Sequence, residues 1–117
     1  MVFDVGEKVL IIEKRYFAED VHRYFVGQVV RCIENVIRVA GYAWVYDGVK
    51  WFQRKPEKIE RVIPIEDRYT IMVIPADVDI DEIKYVPDAS KGQAAGIIMT
   101  DGKNFSLDVT EFALRRP

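Results

Sequence analysis

Apolar and polar side chains alternate with a period of two along the first half of the chain, and this predicts strands. The alternation is clearest from Ile37 onward. There Ile37, Val39, Gly41, Ala43 and Val45 form one face, and Arg38, Ala40, Tyr42, Trp44 and Tyr46 form the other. Lys8 to Glu13 and Phe25 to Ile33 read as earlier strands, with Glu34-Asn35 as the tight turn that leads into the Ile37 strand. Asp47-Gly48 is a turn signal that returns the chain as Val49 to Gln53. Two more β-rich runs follow, Lys58 to Ile65 and Tyr69 to Ile74, separated by Glu66-Asp67-Arg68 and closed by Pro75. Gly6, Gly27 and Gly41 fall where a small closed sheet must bend.

Beyond Pro75 the pattern changes. Asp79 has the chemistry of an N-cap with Glu82 three positions on, and Val78 and Ile83 stand where a hydrophobic staple would place them. A short helix starting at Asp79 is expected, ended by Pro87. Ser90 to Ala95 reads as a loop. Thr100-Asp101-Gly102-Lys103 lies between Ile97 to Met99 and Phe105 to Val109, a hairpin signal with Phe105, Leu107 and Val109 on one face. Asp108 with Glu111 would cap a last helical turn.

The expected architecture is therefore mainly β, a single domain spanning 1–117. Residues 3–74 make a barrel of five or six strands, and residues 75–117 add a short helix and a C-terminal hairpin. Composition agrees with a packed domain: of 117 residues 50% are hydrophobic and 31% charged, with a net charge of −2. No apolar run approaches the roughly 20 residues of a membrane-spanning helix. A start containing Asp4 and Glu7 does not read as a signal peptide, and a lone Cys32 suits a reducing compartment, so a cytoplasmic location without membrane association is expected.

Charge divides the chain unevenly. Residues 1–62 carry 11 basic and 9 acidic side chains, while residues 63–117 carry 6 basic and 10 acidic; ten of the 14 aromatics precede Val62. Basic and aromatic character thus concentrate in the same half.

Catalytic chemistry finds little support. His22 is the only histidine and sits in a charged segment, Ser90 reads as loop, Ser106 alternates outward in a hairpin, and Cys32 lies inside an apolar strand. Asp77, Asp79 and Asp81 alternate like the start of a calcium loop, but Glu82 stands where such a loop needs glycine and Asp88 where it needs glutamate. Helix capping explains the same residues without a metal. No glycine-rich phosphate loop is present. No cofactor and no metal are expected, and the protein reads as a non-enzyme.

The aromatic face is the strongest feature. Tyr42, Trp44 and Tyr46 share it with Arg38, and open to solvent they would present rings about 6.6 Å apart. Lys50-Trp51-Phe52-Gln53-Arg54-Lys55 interleaves cations with rings beside it. Alternatively, Lys14 to Tyr24 or the C-terminal hairpin covers this face and makes it a second core layer, and the lysines merely protect a sheet edge.

Short-turned strands with a glycine opening a bent second strand resemble an SH3-like small barrel. Within that group, Gly27 to Val39 resembles the first motif of Sm-like proteins, a glycine-led apolar strand, a polar turn with Asn35 and a second apolar strand. The resemblance implies the fold class, and would make Asn35 the turn residue facing RNA. Glu60-Arg61-Val62-Ile63 lacks the Arg-Gly pair of the family's second motif, so ring assembly and a uridine pocket are not carried over.

The functional expectation is a protein-interaction or self-association module, with a homodimer as one form of it, that uses Arg38, Tyr42, Trp44, Tyr46, Trp51, Arg54 and Lys55. Its alternative is single-stranded nucleic-acid (RNA) binding by stacking on the same rings.

Overall fold

The computed structural model describes residues 3–15, 21–47, 49–88 and 96–110, arranged as two antiparallel sheets. The first contains β1 (Lys8–Glu13), β2 (His22–Ile33), β3 (Val36–Tyr46), β4 (Gln53–Arg54), β5 (Ile59–Pro64) and β6 (Tyr69–Ile74). Its order is β4-β3-β2-β1-β6, with β5 also paired to β3. The second sheet is β7 (Lys84–Asp88), β8 (Gly96–Thr100) and β9 (Ser106–Asp108), with β8 in the middle.

The expected closed barrel is an open sheet. β5 pairs with β3 and β6 with β1, and among the described residues no ladder joins β5 to β6. Residues 65–68 between them explain the gap. The Ile65 N–H donates to the Asn35 carbonyl (2.7 Å) at the β2–β3 turn, and the Arg68 carbonyl accepts from the Lys14 N–H (2.8 Å) beyond β1. Pinned at both ends to different strands, the linker cannot act as the tight turn of a β5–β6 hairpin.

β1 is buried on both faces, as its continuous apolar run Val9 to Ile12 requires. Val9 and Ile11 join Phe3, Phe25, Val29, Ile37, Val39 and Ile63 in one core, inside the curl of the first sheet. Leu10 and Ile12 join Tyr24, Val26, Trp44, Phe52 and Ile74 in a second core on the opposite face. The second sheet covers that face, contributing Tyr85, Ile97, Met99 and Val109. Lys8 helps fasten the layers: its ammonium donates to the carbonyls of Ala76 (2.7 Å) and Val78 (2.5 Å).

One irregularity sets the faces of β2. The β2–β3 register shifts between Val29 and Arg31, leaving Val30 as a bulge. Phe25 and Val29 point into the inner core, and strict alternation would send Arg31 there too. The extra residue reverses the parity, so Cys32 is buried inside instead and Arg31 emerges on the outer face opposite Arg38.

Beyond β6 the expected short helix is a single 3-10 turn, Ile80–Glu82. The Asp79 carboxylate caps it, accepting from the Asp81 N–H at 3.0 Å. It stops there because Ile83 is already extended and Lys84 begins β7. β7 itself was not expected from the sequence. Pro87, read as a helix stop, lies within β7, which among the described residues pairs with β8 alone and as an edge strand tolerates a residue without an N–H. The expected hairpin is β8–β9, with Met99 opposite Leu107. The Asp101 carboxylate accepts from the N–H groups of Lys103 (2.8 Å) and Phe105 (3.2 Å) in the turn, which hold its carboxyl below the usual carboxylate range. The returning strand expected over Val49 to Gln53 shrinks to Gln53–Arg54, because the Asp47 carboxylate takes the Val49 and Lys50 N–H groups into a turn. Gly48, the Ser90 to Ala95 loop and Glu111 of the last expected turn lie outside the described residues.

Candidate interaction face

The aromatic stripe of β3 divides where the second sheet begins. Trp44 is only 8% exposed and meets the Tyr85 ring edge-on at 4.8 Å. Phe52 lies between Tyr46 and Tyr85, stacked on the first at 4.6 Å and on the second at 4.3 Å. Tyr24 closes the group, 5.7 Å from Tyr85. Trp51 sits at the rim, 38% exposed, and its indole N–H donates to the Tyr85 carbonyl at 2.6 Å. The C-terminal sheet is thus the layer that covers the rings, one of the two arrangements the sequence allowed.

Burial pushes the Tyr24 and Tyr85 hydroxyls well above the usual tyrosine range. Neither has a hydrogen-bond partner among the described residues. An unsatisfied buried hydroxyl costs stability that a phenylalanine would not, so Tyr85→Phe is expected to raise the unfolding free energy by about 1 kcal/mol. Urea denaturation checks this, and a lower midpoint would indicate a partner for the hydroxyl.

Tyr42, one pleat further along β3, is half-buried and tied down differently. The Arg54 guanidinium lies 4.4 Å from its ring centroid, Arg54 Nη1 donates to the Asp81 carbonyl (3.2 Å), and the Tyr42 hydroxyl bonds the Asp81 carboxylate. This last bond is the main reason that its pKa is raised. Lys55 is exposed, and its backbone N–H donates to the Ala43 carbonyl at 2.8 Å. Of the seven residues singled out in the sequence, Trp44 and Tyr46 belong to the core. Trp51 bonds the second sheet at Tyr85, Tyr42 and Arg54 hold the 3-10 turn at Asp81, and Arg38 and Lys55 face solvent.

Beyond Tyr42 the same outer face of β3 runs out from under the second sheet. Cross-strand register places its side chains in rows across β2, β3 and β5. Ile33, Val36 and Pro64 form the outermost row, Arg31, Arg38 and Val62 the next, and Gln28, Ala40 and Glu60 the third. Ile33 is 50%, Val36 37% and Val62 59% exposed, so the outer two rows form an apolar surface with two guanidiniums set in it. The Arg38 guanidinium is 4.0 Å from the Glu60 carboxylate, both largely exposed, a contact that contributes little. Arg31 has no ion-pair partner among the described residues. Sequence reading found Arg38 but not Arg31, Ile33, Val36 or Val62: the bulge at Val30 decides the side that Arg31 and Ile33 take, and the β3–β5 register brings Val62 beside Arg38.

The candidate catalytic residues are far apart. His22 lies opposite Tyr46 at one end of the β2–β3 ladder and Cys32 opposite Ile37 near the other, so they do not meet. No group of three or more metal-ligating side chains converges among the described residues. His22 is buried beside the Tyr46 ring at 5.4 Å. Burial, with a smaller contribution from Arg15, lowers its pKa from 6.5 to about 4. Its folded value lies below its unfolded one, so the unfolded chain takes the extra proton. The stability involved is complete above pH 6.5 and is lost as pH falls toward 4. Acidification from about pH 7.5 to about pH 5 is expected to cost about 2 kcal/mol. A His22→Gln variant should lose that part of the dependence in urea titrations at the two pH values.

Comparison of the chain with protein-family models, with curated proteins and with solved structures finds no match. No helix among the described residues is long and apolar enough to cross a membrane.

Proposed function

We propose that this protein is a non-enzymatic interaction module that binds another protein, or a second copy of itself, through the open rows of the outer β2–β3–β5 face. The observation that carries this reading is the contiguous exposure of Ile33, Val36 and Val62 around Arg31 and Arg38. Apolar side chains with arginine among them are the composition of interface centres, and lone exposed apolar residues do not ordinarily line up in a register-aligned patch. The rows lie on rigid, paired strands, which limits the ordering cost of binding. The aromatic half of the face supports the site from below by fixing β3 against the second sheet.

Single-stranded nucleic acid is less well supported. Stacking needs open ring faces, whereas Trp44 is sealed and the Tyr42 ring is covered by Arg54. A net charge of −2 also offers little counterion release.

Two measurements test the reading. In sedimentation velocity, and in capture of partners from the cells that make the protein, complexes formed by the wild type should be lost in a Val36→Asp/Val62→Asp variant. They should survive Lys103→Asp in the distant β8–β9 turn. Complexes indifferent to the first variant would place the interface elsewhere.

A further inference from the structure

Arg31 and Arg38 stand directly opposite each other across the β2–β3 ladder, on the same open face. Residues paired this way carry their Cβ atoms roughly 5 Å apart, and like charges so placed destabilise the sheet. Among the described residues the one carboxylate in ion-pair range of either guanidinium is that of Glu60, 4.0 Å from Arg38 and largely exposed. Glu60 balances Arg38 only in part, and Arg31 has no ion-pair partner among the described residues, so excess positive charge stands next to the exposed Ile33, Val36 and Val62.

We infer that the partner of this face is a protein segment in extended conformation that carries a carboxylate two residues from an apolar side chain. The inference rests on the interaction reading above and specifies its chemistry. A carboxylate placed over the middle row can accept from both guanidiniums at once, relieving their repulsion with charge-assisted hydrogen bonds. The rows repeat every second residue along β3, about 6.6 Å, which is also the spacing of same-side residues in an extended partner. An apolar side chain two positions from the acid then falls on the row of Ile33, Val36 and Pro64. Binding here needs no strand addition at an edge; the segment lies across the face.

The test uses the full chain and fluorescein-labelled peptides read by fluorescence polarisation. One peptide has isoleucine and glutamate two residues apart in a threonine background; its counterpart replaces glutamate by glutamine. The glutamate peptide should bind about ten-fold more tightly, with the advantage shrinking as salt rises. Arg31→Gln and Arg38→Gln should each erase that advantage while raising the melting temperature, since each removes the opposed charge. Equal binding of the two peptides, lost in Val36→Asp/Val62→Asp, would overturn the acidic partner and leave the interaction face standing. Binding of neither peptide, or tighter binding of labelled oligouridylate that depends on the same arginines, would overturn the inference outright. Glutamate-peptide binding that survives Val36→Asp/Val62→Asp would count against the interaction face itself.

Discussion

Trp44→Ala is expected to destabilise the protein by about 4 kcal/mol, among the larger effects a single side-chain truncation produces. The indole is buried where the two sheets meet, edge-on to Tyr85 and in the same cluster as Tyr24, Val26 and Phe52. Its removal leaves a cavity walled by rigid rings and by strand backbone, surroundings that collapse poorly. The effect should appear in the denaturant midpoint. Tyr42→Ala, two residues away on the same face, should be much milder, because Tyr42 lies at the margin of the covered region and loses only the Arg54 and Asp81 contacts. Similar losses from the two substitutions would mean that the second sheet does not divide the stripe.

Gly41→Ala comes next in size, at about 3 kcal/mol, by overpacking instead of a cavity. Gly41 and Gly27 are direct partners in the β2–β3 ladder. A Cβ on Gly41 would collide with the Val26 carbonyl oxygen and the Gly27 Cα, and one on Gly27 would come within 2.6 Å of the Ala40 carbonyl oxygen. These are mainly backbone atoms, which cannot swing aside as the end of a long side chain could. The strands must part to accept the methyl group, at the point where β2 and β3 pass between the two cores. A fall in melting temperature on the order of 10 °C is expected. Little change would show that the ladder has slack there.

Much of the first sheet could be read from the chain because its strands announce themselves locally. Lys8–Glu13 and Tyr69–Ile74 carry compact β-rich runs bounded by turn residues, and both are strands over those same residues. The β8–β9 turn follows from Thr100 to Lys103, where side-chain oxygens of Thr100 and Asp101 capture backbone N–H groups within a few residues. Features that depend on distant partners were not legible. The gap between β5 and β6 arises from bonds that Ile65 and Arg68 make to other strands, and β7 exists because β8 lies beside it.

The candidate site divides in the same way. Alternation along β3 placed Arg38, Tyr42, Trp44 and Tyr46 on one face, and they do share it; alternation says nothing about which part of that face another layer will cover. Arg31 required knowledge of the bulge. Its one local trace is the pair Val29-Val30 followed by Arg31 and then Cys32, a break in the two-residue rhythm that a strand must absorb somewhere.

The claim on which the rest depends is that the outer face of β3 is core at Trp44 and surface beyond Tyr42. Quenching of Trp44 fluorescence by acrylamide, in a Trp51→Phe variant that leaves one indole to observe, tests it most directly. Blue-shifted emission with quenching several-fold weaker than in the urea-unfolded chain is the predicted result. Emission and quenching equal to those of the unfolded chain would contradict it.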